Sequence, residues 1–542
     1  MKKNFIYLLF FIFIGSCFAI NLGSQTVIPA THWIYDDLNL LCLESGVSSF
    51  AVSAPRTIDE LRLYLNEINF DELSNPGKKI YKKIQNFFEK QCLGFSSGLV
   101  SAGLSLDIAL EGYFKTNENL QWIHPYQLYK PLIKVPLGFS LGNYLTIVTD
   151  LSIEQNIEAK KAHKNYLNIP FPLSKFDVNF PHSAYGSAGF LLSENTGVNL
   201  RVARGPQFIG KSATGSVILS EYSSNESYCE FSIFSPKLRY ALNITELNPP
   251  KKDNPNPAYM YLHRLEFKLF EKLTFIILEG VLVNSPFELR FLNPFMIMHG
   301  FASWNDYYGK GNNSEDDNVR KEASLLGLNI NFVPCKGLEL YVLYAMNQFQ
   351  TNYERKNWPD SAIPNAITVQ GGLNLSFPMN NGYLYGNIEG VYATPYMYLM
   401  EGADWSYIRE YDESIGMNDV REWVGNPFGS DSIVTSVLVG YKVPDFYNIS
   451  CGYLFAAQGE LSDLSILDKD YWPLNAEQAS VSSLTGIVEF SHRLLLTGQL
   501  FVLENICLEL SPSYVVTLNS NHIKENLEHG FEIIASCSVS LF

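Results

Sequence analysis

Charge is scarce in this chain. Asp, Glu, Lys and Arg make up 17% of its 542 residues, whereas aromatics reach 14%, with 32 Tyr and 36 Phe. Long apolar runs are also missing. After FIYLLFFIFI at 5–14, no stretch approaches the ~20 residues that a spanning helix requires, which excludes a helical membrane bundle. Basic residues are outnumbered, 39 to 55, leaving a net charge of −16, so neither a nucleic-acid partner nor a nucleotide is expected. The cysteines beyond position 17 (Cys42, Cys92, Cys229, Cys335, Cys451, Cys507 and Cys537) form no C-x-x-C pair, which removes the usual zinc and redox motifs. A Cys42–Cys92 bridge is conceivable, but scattered apolar positions on strands are the plainer account. No metal, no cofactor and no catalytic residues are expected, and the chain reads as a non-enzyme.

What is present begins with a leader. Met1-Lys2-Lys3 precedes the apolar run, and the small residues of GSCFA offer cleavage after Ala19, a secretory signal over 1–19. Ile14-Gly15-Ser16-Cys17 also resembles a lipoprotein box, with Cys17 as the alternative first residue.

Residues 20–97 are expected to form a small helical domain. Ile34, Leu38 and Leu41 share one helical face, and Gly46 marks a stop. Thr57 with Glu60 forms a capping box for a helix carrying Leu61 and Leu65. Pro76 opens a third helix with Ile80, Ile84 and Phe87 on one side and Lys78, Lys79, Lys82, Lys83 and Lys90 on the other. That basic side suits anionic lipid or glycan, or simply solvent.

From 98 to 542 the period becomes two. Short turns at 235–237, 270–272, 333–337, 378–382, 443–445 and 504–505 alternate with long polar excursions at 286–323, 351–366, 394–432 and 457–483. Short turn, two strands, long loop is the pattern of a transmembrane barrel with its turns in the periplasm and its loops outside. The expected fold is mainly β, a large antiparallel transmembrane barrel of about 16 to 18 strands preceded by the helical domain. Phe542 supplies the terminal aromatic that barrel-insertion machinery reads, although it is one step out of phase with Phe531, Ile533, Ala535, Cys537, Val539 and Leu541.

The string GPQFIGKS at 205–212 matches a phosphate-binding loop. Gly215 would interrupt the required helix, and Val217, Ile218 and Tyr222 favour a strand. The expectation here is a strand broken at Gly205-Pro206, with Lys211-Ser212 opening the next. Trp304, Asp306, Tyr307 and Tyr308 in one loop, and Trp405, Tyr407 and Arg409 in another, place flat aromatics beside polar groups, which suits sugar rings. An interface girdle or loop–loop packing over the barrel mouth is the plainer account of them. The acidic run Glu315-Asp316-Asp317 reads as solvated.

Several segments together resemble the Wzi-type capsule-assembly family of outer-membrane proteins. They are His32-Trp33-x-Tyr35-x-x-Leu38-x-x-Leu41 with Gly46, Pro55-Arg56-Thr57 with Glu60-Leu61, Arg204-Gly205-Pro206 and Gly215-Ser216-Val217-Ile218-Leu219-Ser220. Further on come His263-Arg264-Leu265-Glu266-Phe267, Glu279, Asn293-Pro294-Phe295, Glu389, Pro395-Tyr396 and Gly429-Ser430-Asp431-Ser432. The resemblance implies a periplasmic helical domain, an outer-membrane location and a lectin-like role in holding surface polysaccharide. Two departures, the absent tryptophan-rich approach to Gly205 and Asn347-Gln348 in place of an acidic residue, make the fold a safer inference than the ligand. The partners implied are surface polysaccharide, outer-membrane lipids and the insertion machinery. A porin-like diffusion channel and a loop-based adhesin are the alternatives.

Overall fold

The computed structural model describes residues 18–20, 23–89, 92–120, 130–155, 165–169, 176–179, 183–223, 226–248, 256–294, 322–357, 363–412 and 419–541. Eighteen strands close into one antiparallel barrel. Strand β1 comprises Val100–Leu104 and, past Ser105, Leu106–Lys115. It is followed by β2 (Ile133–Leu141), β3 (Leu145–Gln155), β4 (Ala184–Ser193), β5 (Thr196–Gly205) and β6 (Glu226–Phe234). Next come β7 (Leu238–Asn248), β8 (Ala258–Leu269), β9 (Leu273–Asn284), β10 (Glu322–Cys335), β11 (Leu338–Gln348) and β12 (Ala366–Met379). The last six are β13 (Gly382–Ala393), β14 (Ser432–Val443), β15 (Tyr447–Gln458), β16 (Glu489–Leu503), β17 (Ile506–Leu518) and β18 (Leu527–Leu541). Each pairs with the next, and β18 pairs back onto β1 from Glu532↔Lys115 to Leu541↔Leu106. Closure leaves no exposed edge, which a spanning sheet requires.

The strands alternate as the period of two requires. On β5, Leu200 and Val202 are 50% and 63% exposed, while Asn199 and Arg201, which alternate with them, are buried. On β16, Leu494, Leu496, Leu500 and Val502 face outward, and Arg493 is buried inside. An apolar outer face over a polar interior is the lipid-facing arrangement of a membrane barrel. The short turns fall at one end, and their geometry follows from their residues. Asn380, Asp445 and Gly337 take positive φ of 54°, 61° and 83° in three of them.

Three helices cover that short-turn end: α1 (Ile34–Ser45), α2 (Ile58–Asn66) and α3 (Asn75–Phe88). Gly46 ends α1 with φ 76°. The Thr57 hydroxyl accepts from the Glu60 amide, but the Glu60 carboxylate turns to Arg56, so only half of the capping box forms. Ile34, Leu38, Leu41, Leu61, Leu65, Ile80 and Ile84 meet in one apolar cluster that also takes in Phe208, Phe234 and Tyr383. The amide of Ser48 bonds Glu271 O in the β8–β9 turn (2.7 Å), and that of Gly337 in the β10–β11 turn bonds Leu43 O (2.8 Å). Of the α3 lysines, Lys83 lies over the Trp33 and Phe501 rings and pairs with Asp445 at 2.9 Å. Lys79 and Lys82 are exposed. All seven described cysteines are free, with no Cys42–Cys92 bridge.

One expectation needs correction. Residues 206–223 are not strands of the wall. Gly205 ends β5 at the long-loop end, and the chain then turns down into the lumen, where Phe208–Ile209 pairs with Ser53–Ala54. Val217 and Ile218, whose branching favours a strand, are instead packed inside. A buried site in the lumen satisfies the same apolar preference without a ladder partner.

Candidate functional site in the barrel lumen

Barrels of this strand number enclose an aqueous channel unless something fills them. Two segments from the long-loop end and the helices from the other do so here. In the segment 206–223, Val217, Ile218 and Leu219 are no more than 1% exposed and pack in a cluster with Leu278, Leu325, Leu343 and Tyr398. Burying such side chains contributes roughly 1.5–3 kcal/mol each. Its backbone is held by wall side chains. The Glu389 carboxylate accepts from the Ala213 amide (2.8 Å), the Thr214 amide (2.9 Å), the Thr214 hydroxyl (2.5 Å) and the Tyr341 hydroxyl (2.5 Å). Gln370 takes the Val217 amide and donates to Gly215 O. Gly215, at φ 95°, leaves no room for a Cβ, which would lie 2.7 Å from Pro427 Cδ.

The second segment, described over 394–412 and 419–431, caps the first. Asn426 donates to Gly215 O (2.6 Å), the Tyr398 hydroxyl donates to Val217 O (2.5 Å), and the Ser220 amide donates to Val424 O (3.0 Å). At its root the Asp431 carboxylate accepts from the Thr485 amide and hydroxyl. Burial dominates over these bonds and pushes the Asp431 carboxyl up from the usual range.

Below the plug lies a charge cluster that bonds the helices to the wall. Arg56 bonds Glu60 at 2.7 Å and Glu266 at 2.6 Å. Arg239 reaches Glu60, Glu230 and Glu266 at 2.9, 2.8 and 3.1 Å. Arg201 meets Glu230 at 2.6 Å, and Arg264 meets Glu266 at 2.7 Å and Glu230 at 3.2 Å. Buried guanidinium–carboxylate networks of this kind specify geometry more surely than they add stability.

A cavity of about 460 Å³ remains between α1, the inner segment and strands β10 to β15. Its floor is one face of α1, formed by Asp36, Asn39, Leu40 and Leu43, spaced i, i+3, i+4 and i+7. Lys211 and Ser212, the end of GPQFIGKS, open onto it. Lys211 pairs with Asp36, and Lys442 with Asp37. Burial opposes the charged form of Asp36, but Lys211 beside it prevails and holds its carboxyl below the usual range. Glu221, hemmed in by the lumen, is pushed up to about 7 by burial, with Asp36 and Glu389 adding to the rise and Lys211 opposing it. The phosphate-loop match therefore fails in three dimensions as well. No helix follows Ser212, and the lysine is already neutralised.

The string G-x-S-x-G, typical of serine hydrolases, occurs at GFSSG (94–98) and GFSLG (138–142). Ser96 lies on the short strand Cys92–Ser97 and Ser140 on β2, so neither forms a strand-to-helix elbow.

The candidate sugar-binding residues part company. Trp304, Asp306, Tyr307 and Tyr308 lie outside the described residues, as do Glu315, Asp316 and Asp317. Trp405 sits half-buried on a short turn, Ala403–Trp405, against the lumen core. Tyr407 is only 1% exposed and donates its hydroxyl to Ala323 O at 2.9 Å, so its ring offers no face to a surface sugar. Arg409 is buried on Ile408–Asp412, which pairs with Asp419–Trp423. For these two, loop packing is the role that the geometry gives. Sequence reasoning missed the cavity lining, including Asn331, Glu339, Asn374 and Asn387. The available signal was polar residues at inward positions of otherwise apolar strands.

No protein-family model matches the chain, and no curated protein matches it by sequence. Among solved structures it is similar to Wzi of Escherichia coli, described as a carbohydrate-binding β-barrel involved in group 1 capsule assembly. The TM-score is 0.58 at 13% identity, over 95% of this chain and 99% of that one. The chain has the fold of an outer-membrane β-barrel. Other solved structures are similar at lower TM-scores. OprD of Pseudomonas aeruginosa has a TM-score of 0.37 and 10% identity, over 81% of this chain and 96% of its own. DcaP of Acinetobacter baumannii has 0.34 and 8%, over 83% and 99%. Within the outer-membrane barrel seen here, the segments that carried the family resemblance converge in space. Arg56, Glu60, Arg264 and Glu266 build the charge cluster, while Glu389, Gly215–Ser220 and Gly429–Ser432 build the plug.

Proposed function

We propose that this barrel sits in the outer membrane as a closed, non-enzymatic platform that binds or anchors capsule-like surface polysaccharide and takes part in its assembly. Its long loops face outward and carry the glycan contacts, and its helices face the periplasm. Lipid and the insertion machinery are its other partners. The observation that carries this reading is the filled lumen. Segment 206–223 interlocks inside the wall with 394–412 and 419–431 through Asn426, Tyr398 and Glu389, while α1 to α3 cover the other end. A diffusion channel has no use for so many buried bonds across its bore. The similarity to a carbohydrate-binding barrel over nearly the whole of both chains supports the same conclusion.

A strain lacking the gene is expected to shed polysaccharide that the parent retains, measured as cell-bound against free glycan. Unchanged retention would sink the proposal. The channel alternative is checked by planar-bilayer recording of the purified barrel, for which silence is expected.

A further inference from the structure

We propose that the outer wall carries a seat for one phospholipid with a primary ammonium headgroup, at the short-turn end of β15 to β17. A groove of about 510 Å³ opens there, lined by Tyr447, Ile449, Leu500, Leu508 and Leu510 around Gly498. Small-ligand sites typically span about 300–1,000 Å³. The register explains the groove. Ile449 pairs with Gly498 and Gly498 with Leu510, so one outward row lacks its middle side chain. In the next outward row towards the turns, Tyr447 pairs with Leu500 and Leu500 with Leu508. Ile449, Leu500, Leu508 and Leu510 are all exposed on the lipid-facing side. An acyl chain laid over Gly498 touches apolar groups on both flanks, contact that a convex wall does not offer.

The lower rim of the groove suits the rest of a phospholipid. The Tyr447 ring stands 5.1 Å from that of Phe446 and 6.1 Å from that of Tyr441, an aromatic belt of the kind found at a membrane–water boundary. The Tyr441 hydroxyl donates to Met379 O at 2.9 Å, whereas that of Tyr447 bonds no described residue and is open to a phosphate or ester oxygen.

Charge selects the headgroup. Glu504, in the turn between β16 and β17, is exposed and makes no ion pair among the described residues. Lys83, which reaches this rim from α3, is already paired with Asp445 in the β14–β15 turn at 2.9 Å. An open carboxylate beside a neutralised lysine attracts an ammonium and repels an anionic headgroup. Phosphatidylethanolamine supplies an apolar chain, a phosphate and an ammonium in that order. The seat deepens the lipid partnership proposed above and rests on the membrane location alone, so it is independent of any glycan. Under the proposed topology it lies in the periplasmic leaflet.

The test is native mass spectrometry of the full-length barrel, stripped in maltoside detergent and incubated with phosphatidylethanolamine, phosphatidylglycerol or phosphatidylcholine of matched chains. One phosphatidylethanolamine per barrel is expected to survive removal of the micelle, with the other two lipids retained less. A Cβ at Gly498 would meet nothing nearer than Leu510 O at 3.9 Å, so Gly498→Leu fills the groove without straining the wall. It should lower retention by about fivefold or more, whereas Gly371→Leu, at an outward glycine of β12, should not. Glu504→Gln should reduce the preference for phosphatidylethanolamine over phosphatidylglycerol by about 2- to 5-fold. Equal retention by Gly498→Leu, or an equal loss in Gly371→Leu, would mean ordinary annular lipid. Phosphatidylglycerol held as firmly as phosphatidylethanolamine would refute the headgroup. A barrel dimer that Gly498→Leu splits would make a second copy the occupant. Each of these results overturns the proposal, and insertion of the parent barrel into lipid nanodiscs checks the membrane reading separately.

Discussion

Arg56 is fully buried, and it belongs to the N-terminal segment rather than the wall, yet its guanidinium is completed by Glu266 of β8. Removing it takes one guanidinium from two buried carboxylates and leaves them to Arg239 and Arg264 alone. Arg56→Ala is expected to cost about 3–5 kcal/mol in denaturant or thermal unfolding, whereas Lys79→Ala on the exposed face of α3 should be silent. Glu221 gives the residue scale its pH dependence. Its carboxyl is raised to about 7 in the folded chain, above its unfolded value near 4.5. The folded state therefore binds the extra proton, and the stabilisation it brings is complete below about pH 4.5 and lost as pH rises through 7. Glu221→Gln should flatten that decline between pH 4.5 and 7, read as the unfolding midpoint of variant and parent across the range.

At the scale of the element, alternation along a strand separates lipid from lumen. Leu496, mid-strand on β16, faces lipid, and Leu496→Arg should destabilise the barrel by about 2–4 kcal/mol. Gln499→Lys, on the inward side of the same strand, should show no comparable loss when the two are refolded side by side into vesicles. This alternation is also why so much of the wall could be read from the sequence. The hairpin expected around the short turn at 378–382 is observed as Ala366–Met379 and Gly382–Ala393, because a period of two and an Asn-Asn-Gly turn need only neighbouring residues to specify them. Residues 206–223 could not be read in the same way. A run such as Val217-Ile218-Leu219 looks alike whether it lines a sheet or fills a bore, and only contacts with Glu389 and Asn426, far away in the chain, decide between them. The depth of Tyr407 and Arg409, both buried, was illegible for the same reason. Local composition registers an aromatic beside a cation but not the depth at which they lie.

For the whole molecule, the two lumen segments fill one cross-section of the bore and the helices cover its short-turn end. Replacing 207–223 and the described parts of 396–428 with short Gly-Ser linkers leaves the helices in place, so that variant should stay silent in a planar bilayer, as the intact chain does. Discrete conductance steps from it would show that the helices do not seal the bore.

The pairing of Phe208–Ile209 with Ser53–Ala54 bears on how such a molecule is made. The helical segment precedes β1, and β1 is one half of the final seam with β18. The helices lie at the short-turn mouth, so closing the seam does not by itself seat them; the ladder between Phe208–Ile209 and Ser53–Ala54, formed inside the bore, does. Biogenesis of this barrel is therefore a docking as well as a closure.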